Sequence, residues 1–393
     1  MIRLRLGYVP LIDAAPLIVA QELGFAAQEG LLLELVRLGA WAQSRDMLGA
    51  GLIDAAHMLV PLPVGQALGL GPPGPDFDLL MFLSHCGQAV AVSNPILRRL
   101  RDTGHGFDLA DAAAAGQALR RVVTGPLHVG VPFMFSMQLE LICHWLTACG
   151  FRPGDLKVKT VPPPLMADAL AADEVDLFCV GEPWASHAVE RGIAGLLLPG
   201  RAIWAAAPEK GLVLRRDFAQ DRPEDTGALM RALWRAGRWL DEADHRATAA
   251  EILSAPRYLD LPPDLAERGM TGRLVISADG GTRQVPQFVA FSAGSVNFPW
   301  KSIAALIARN LAQRHGLPPE PAMQRAMAHF RTDLYRQHLR PAGAPLPGAS
   351  SRIEGSLPED RTVPAERGQM ILRADSFFDG HVFDPSAVVR SQN

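Results

Sequence analysis

Residues 2–17 read Ile2-Arg3-Leu4-Arg5-Leu6-Gly7-Tyr8-Val9-Pro10-Leu11-Ile12-Asp13-Ala14-Ala15-Pro16-Leu17. Apolar and basic side chains alternate over the first half, the period-two signature of a strand. Asp13 stands where it can cap a helix. Pro16 is tolerated in that helix's first turn because the amide there has no intrahelical partner. The helix is expected to run to about Leu23, with Gly24 as its stop. Leu31–Leu38 reads as a second strand, Gln43–Ala50 as a second helix and Ala55–Val60 as a third strand. This βαβαβ order implies a parallel sheet covered by helices.

The same order recurs 122 residues later with no gap. Val9-Pro10 corresponds to Val131-Pro132, Leu17 to Leu139, Val36 to Val158, Asp46 to Asp168, Leu48 to Leu170, Ala50 to Ala172, Asp54 to Asp176 and Pro61 to Pro183. The matches fall at corresponding strand and helix positions, so two similar α/β lobes are expected. We assign 1–92 and 205–340 to lobe 1, 93–204 to lobe 2, and 341–393 to an extended C-terminal arm packing on lobe 1. Pro72–Asp78 and Asp102–Gly116 read as loops or a crossover, Ala228–Leu240 and Ser302–His315 as helices, and the Pro-, Gly- and Ser-rich Pro341–Gly368 as weakly structured. Two such lobes form a cleft into which strand ends and helix N-termini point, a setting that suits an anion.

Composition narrows the partners. The 393 residues carry 38 Lys+Arg against 41 Asp+Glu, a net charge of −3, which leaves no basic excess for a nucleic-acid surface. At 48% apolar and 20% charged residues the chain is ordinary globular material of about two domains. No stretch reaches the roughly 18 apolar residues of a membrane span. The start lacks the basic segment and apolar run of about 7–15 residues that mark a secretory signal, so a cytoplasmic protein is expected. Cys86, Cys143, Cys149 and Cys179 show no CxxC pairing and read as core residues of a reducing compartment, and no histidine pair has metal-ligand spacing. No metal and no cofactor is expected.

Several segments hold candidate chemistry. Gly69-Leu70-Gly71-Pro72-Pro73-Gly74 matches GxGxxG in form, but two prolines remove the amide donors a phosphate needs, and a surface loop is expected. Asp13 sits at a helix start facing the cleft and reads as an N-cap, since a carboxylate at an anion site would repel the anion. The indole N–H of Trp41 is a donor without an acceptor, which suits an anion. His85-Cys86-Gly87-Gln88 offers flexible backbone and an amide donor, and Pro208-Glu209-Lys210 a cation. Gly181-Glu182-Pro183-Trp184 closes the last strand of the second lobe, where ligands or hinges occur. Ser295 lies outside any GxSxG elbow, so nucleophilic catalysis is unsupported.

Together these segments resemble the nitrate-binding and bicarbonate-binding proteins of ABC transporters. The resemblance rests on Gly7-Tyr8-Val9-Pro10-Leu11-Ile12-Asp13-Ala14-Ala15-Pro16-Leu17, Trp41-Ala42-Gln43-Ser44-Arg45-Asp46, Gly87-Gln88-Ala89-Val90, Val161-Pro162-Pro163-Pro164, Val180-Gly181-Glu182-Pro183-Trp184, Pro208-Glu209-Lys210, Asn297-Phe298-Pro299-Trp300-Lys301-Ser302 and Phe377-Phe378-Asp379-Gly380. It implies a type II periplasmic-binding-protein fold, two α/β lobes around an interlobe cleft, with no enzymatic activity. It places the nitrate or nitrite ligands on Trp41, Gly87, Gln88, Gln138 and Lys210. Gln138 stands where the family has His, which leaves bicarbonate open, while the fixed charge of Lys210 favours a monoanion. Asp13, Ser136, Glu182 and Trp184 are candidate cleft or hinge residues. The family's cytosolic branch senses nitrate and nitrite and releases an ANTAR-type antiterminator protein when the anion closes the cleft. That branch fits a chain without a leader, and the antiterminator would be its partner, with no direct nucleic acid and no membrane. The alternative is the substrate-binding component of a nitrate or bicarbonate ABC transporter. An enzyme like the thiamine-pyrimidine synthases is a third reading, and it would need reactive groups in a larger pocket.

Overall fold

A computed structural model describes residues 1–386 as two α/β lobes. Strands β1 (Ile2–Tyr8), β2 (Leu31–Arg37), β3 (Ala55–Leu59) and β4 (Phe77–Cys86) begin the chain. Strands β5 (Gln88–Ser93), β6 (Leu127–Val131), β7 (Leu156–Thr160), β8 (Leu177–Gly181) and β9 (Ala194–Pro199) follow, and then β10 (Pro208–Arg215). The first sheet has the order (Val289–Ala290)-β4-β10-β3-β1-β2, and the second the order β7-β6-β8-β5-β9.

In each lobe the repeated unit builds the same structure. β1 runs parallel to both β2 and β3, and β6 runs parallel to both β7 and β8. Shifted by 122 residues, the bounds of β3 coincide with those of β8. The antiparallel strands are additions, with β10 inserted between β3 and β4 and β5 between β8 and β9. Strands β3, β4, β5 and β8 are buried along their whole length, as expected when helices cover both faces of a sheet.

The chain crosses between lobes twice. The outward crossing is the turn Cys86-Gly87, with both residues in the left-handed region (φ 59° and 86°). The strand Gln88–Ser93 that follows belongs to the second sheet, so the boundary expected near residue 92 falls inside a strand and the crossing lies at Gly87. Only glycine meets that backbone without strain, and a Cβ on Gly87 would press to 3.1 Å from Val289. The return crossing spans Gly200–Ala207.

Two local expectations change. Asp13 caps nothing with its side chain: it lies in the 3₁₀ turn Ile12–Ala14, and the helix starts at Ala15. The segment Asp102–Gly116 is loop only in part, since helix Ala112–Val122 begins within it, capped by Asp111, which accepts the Ala114 N–H at 2.8 Å. Pro341–Gly368 reaches the first turn of helix Lys301–His315, where the Lys301 N–H donates to Ser350 O at 2.9 Å, and it contributes the first strand of a small hairpin, Arg361–Pro364 with Gln369–Leu372. Of the 341–393 arm, residues 387–393 lie outside the described residues. Among the described residues no helix is long and apolar enough to cross a membrane.

Candidate functional site

The repeat places the carboxyl edges of both sheets against each other, and polar side chains collect there. β1 delivers the turn that carries Asp13. β3 delivers His57 from its middle, and Trp41 opens the helix Trp41–Gly49. β10 enters antiparallel, so its first residues, Glu209-Lys210, meet the carboxyl end of β3, with Lys210 opposite Leu59. The second lobe contributes Gln88, at the start of β5, and Gln138, in the first turn of helix Met137–Ala148. That helix is capped by Ser136, whose hydroxyl accepts the Leu139 N–H at 3.2 Å.

These residues form one buried network. The Lys210 ammonium lies 2.7 Å from Asp13 Oδ2 and also donates to Glu209 Oε1. Gln138 Nε2 donates to the same Glu209 oxygen, so a side chain of each lobe meets across the cleft and the lobes are closed. His57 Nε2 lies 3.0 Å from Asp13 Oδ1. The ammonium also stands 5.2 Å from the centre of the Trp41 ring, within cation–π reach. Gln88 pairs across β5–β8 with Gly181, and a Cβ on Gly181 would sit 3.5 Å from Asp13 Oδ2. Paired residues of adjacent strands share a face, so Gln88 rises on the side of the sheet that Asp13 touches. Asp13, Trp41, His57, Gln88, Gln138, Glu209 and Lys210 are each at most 1% exposed.

Charge inside this network is tightly set. Burial alone would raise the Asp13 pKa, but Lys210 and His57 outweigh it and hold the carboxyl below its ordinary value. Burial lowers Lys210, and the two carboxylates overcome that and raise it. Glu209 is pushed up, chiefly by burial, with Lys210 pulling against it and Asp13 adding to the rise. Burial lowers His57, against the pull of Asp13, so the imidazole is neutral. One ammonium therefore faces two carboxylates, a sum of −1 when both are ionised. This corrects the expectation that Lys210 offers a free fixed charge, because its ammonium is already compensated. A monoanion about 4 Å from one ionised carboxylate is repelled by about 4 kcal/mol at an effective dielectric near 20.

Unsatisfied polar atoms mark where a ligand would be held. Among the described residues no partner is found for Trp41 Nε1, Ser44 Oγ, either amide atom of Gln88, Gln138 Oε1 or Glu209 Oε2. Buried polar atoms in native proteins are nearly always paired, and each of these costs about 1–3 kcal/mol unless something meets it. The indole N–H and the Gln88 amide are donors, as an oxyanion requires. Among the described residues no group of three His, Cys, Asp or Glu is placed to hold a metal ion.

Of the residues singled out from sequence, Trp41, Gln138, Lys210 and Asp13 meet directly in this network, and Gln88 reaches the same face. Gly87 serves as the crossing turn. Ser136 caps the helix that presents Gln138. Glu182 and Trp184 lie beside the network and tie the lobes together at their base. Ile12 N–H donates to Glu182 O at 2.9 Å, Glu182 N–H to Gly87 O at 3.0 Å, and Trp184 Nε1 to Pro10 O at 2.7 Å. Burial pushes the Glu182 carboxyl up to about 7. Two network residues were not candidates from sequence. His57 is the one polar residue of Ala55-Ala56-His57-Met58-Leu59, a signal that was present but reads equally as a core histidine. Glu209 was eclipsed by its charged neighbour.

Closure has its own contact. Phe135, of the second lobe, lies over Gly65 in helix Pro61–Ala67 of the first, and a Cβ on Gly65 would come within 2.8 Å of the ring. Gly65→Ala is therefore expected to weaken anion binding about tenfold, since overpacking of 1–3 kcal/mol falls on the closed state. Folding stability should hold or rise, because alanine favours a helix over glycine by about 1 kcal/mol. Titration calorimetry beside a thermal melt checks the pair; unchanged affinity would show that Phe135 moves aside at no cost.

The pattern of the NMT1-like family matches residues 2–254. The chain belongs to the NMT1-like family. This NMT1-like chain is 30% identical to the nitrate/nitrite binding protein NrtA of Synechocystis sp., over 97% of the chain and 82% of the relative. It is 28% identical to the bicarbonate-binding protein CmpA of Synechococcus elongatus, over 98% of the chain and 84% of the relative. The crystal structure of the periplasmic nitrate-binding protein NrtA from Synechocystis superposes with a TM-score of 0.82 at 27% identity. It covers 98% of the chain and 96% of its own. The fold is thus that of the periplasmic binding proteins, and these relatives are binding proteins, not enzymes.

Proposed function

We propose that this NMT1-like protein is a receptor for a small planar oxyanion of the nitrate, nitrite or bicarbonate class, held between its lobes by Trp41, Gln88, Gln138, Lys210 and Glu209. It would serve as the substrate-binding component of an ABC importer. The observation that carries the reading is the interlobe cluster with unpaired buried donors, Trp41 Nε1 and Gln88 Nε2, in a chain whose full-length relatives bind nitrate or bicarbonate. The anion shifts the lobes toward the closed state only as far as it prefers that state. Titration calorimetry with nitrate, nitrite and bicarbonate tests this: millimolar-or-tighter binding of at least one is expected, and heat from none would overturn it.

A second reading uses the same closure. A cytoplasmic nitrate/nitrite sensor would release an ANTAR-type antiterminator protein when the anion binds, and the set of motifs along the chain supports it. Cell fractionation and co-purification separate the two: a cytoplasmic protein that holds an antiterminator only without nitrate is the sensor, and a periplasmic one is the transporter component.

A further inference from the structure

We propose that Glu209 makes binding of an acceptor-only anion proton-coupled: one proton enters the cleft on Glu209 Oε2 with each nitrate, whereas bicarbonate, which carries its own O–H, needs none. The inference rests on the oxyanion-receptor reading above. Nitrate has acceptor oxygens and no donor, so it can meet only donors. Glu209 is fully buried, its Oε1 is taken by Lys210 and Gln138, and its Oε2 has no partner among the described residues. Ionised, that oxygen is an acceptor and repels nitrate. Protonated, it becomes an O–H donor on a side chain whose other oxygen already belongs to the cluster. The hydroxyl of bicarbonate can instead donate to the ionised Oε2, which satisfies both groups without a proton from solvent.

The surroundings of Glu209 favour this exchange. Lys210 faces it from the same strand, Asp13 from the turn after β1, Gln138 from the second lobe, and His57 from β3 through Asp13. Cys86 at the end of β4 and Cys179 in β8 lie within the reach of its charge, and both thiols are held neutral by burial. Lys210 cannot release the needed charge, since Asp13 and Glu209 both stabilise its ammonium. Asp13 is held ionised by Lys210 and His57. Glu209 is the carboxyl that burial drives toward the neutral form. The residue thereby becomes a selector: raising the pH disfavours nitrate and leaves bicarbonate unaffected at this group.

Calorimetry of the full chain from pH 6 to pH 9, at each pH in two buffers of different ionisation enthalpy, counts protons per anion. Uptake is expected to climb toward one per nitrate as the pH rises and Glu209 becomes ionised in the free protein, with affinity then falling about tenfold per pH unit. Glu209→Gln, whose amide supplies the donor permanently, should abolish the uptake, flatten the pH profile and bind nitrate more tightly than wild type at pH 8. Bicarbonate at pH 8 should bind wild type with no uptake. Nitrate binding to wild type without proton uptake, a measurement that needs no variant, overturns the proposal and leaves the receptor reading standing. Uptake that persists in a folded Glu209→Gln protein also overturns it. Absence of heat with nitrate, nitrite and bicarbonate alike overturns the receptor reading itself.

Discussion

Lys210→Met is expected to cost about 3–5 kcal/mol of folding stability at pH 8 and to weaken anion binding at least tenfold. The size follows from what the ammonium leaves behind. Asp13 and Glu209 are both fully buried against it, and removing one partner of a buried ion pair strands an uncompensated charge. In wild type the Asp13 pKa is depressed, so its contribution is present above its unfolded value and is lost as the pH falls. In the variant burial acts on both carboxyls with no ammonium opposing it, and their pKa values rise. A raised carboxyl is stable when protonated and loses that stability as the pH climbs through its folded value. The gap between wild type and variant should therefore be widest at pH 8 and narrow toward pH 5. Urea unfolding at both pH values reads this directly. An equal loss at each would mean that the lost side-chain packing, rather than stranded charge, sets the cost. Adding Glu209→Gln to Lys210→Met should recover part of the stability at pH 8, which a packing defect would not do.

That result would also mark the limit of reading this site from sequence. The lobes were legible because hydrophobic periodicity is local: β1, β2, β3 and their helices follow from alternation, prolines and glycines within some 60 residues, and the repeat copies them. Lys210, Trp41, Gln88 and Gln138 were legible as donors through resemblance to known binding proteins. The charge balance was not. Asp13 and Lys210 are 197 residues apart, and only the insertion of β10 beside β3 brings them together. Read alone, Asp13 before a helix is a cap and Lys210 a free cation. Paired, each cancels the other, and with Glu209 ionised beside them the cleft turns from positive to negative. The strand order that does this depends on antiparallel additions to the repeated unit, and no short-range pattern encodes them. Glu209 illustrates the same point, since beside a lysine it reads as a surface pair, yet the fold buries both completely.

Arg352→Met is expected to destabilise the protein by a similar 3–5 kcal/mol while changing anion affinity less than tenfold. Arg352 is the pivot of the C-terminal arm. Its Nη2 lies 3.0 Å from Glu354 Oε2 and 3.4 Å from Asp375 Oδ2, and both carboxylates are fully buried. Glu354 also accepts Ser302 Oγ at 2.6 Å, which ties the arm to the first turn of helix Lys301–His315. Asp375 in turn accepts the Leu357 N–H at 2.8 Å, which folds the arm on itself. Losing the guanidinium leaves two like charges facing each other in a dry site. They can relax only by protonation or by the arm lifting to admit water. The second route predicts that trypsin and chymotrypsin cut within residues 341–386 of the variant under conditions in which wild type resists. Further along, the stack of Phe377 on Trp204 at 4.6 Å holds the arm against the return crossing, so its far end should stay seated. Cleavage should therefore concentrate before Phe377. Among the described residues Arg352 pairs with Glu354 and Asp375 and not with the anion cluster, which is why affinity should survive in the fraction that stays folded. Glu354→Gln added to Arg352→Met removes one of the stranded charges and should restore part of both the stability and the protease resistance. Equal resistance in wild type and Arg352→Met would show that the aromatic stack and backbone pairing hold the arm without the buried charges.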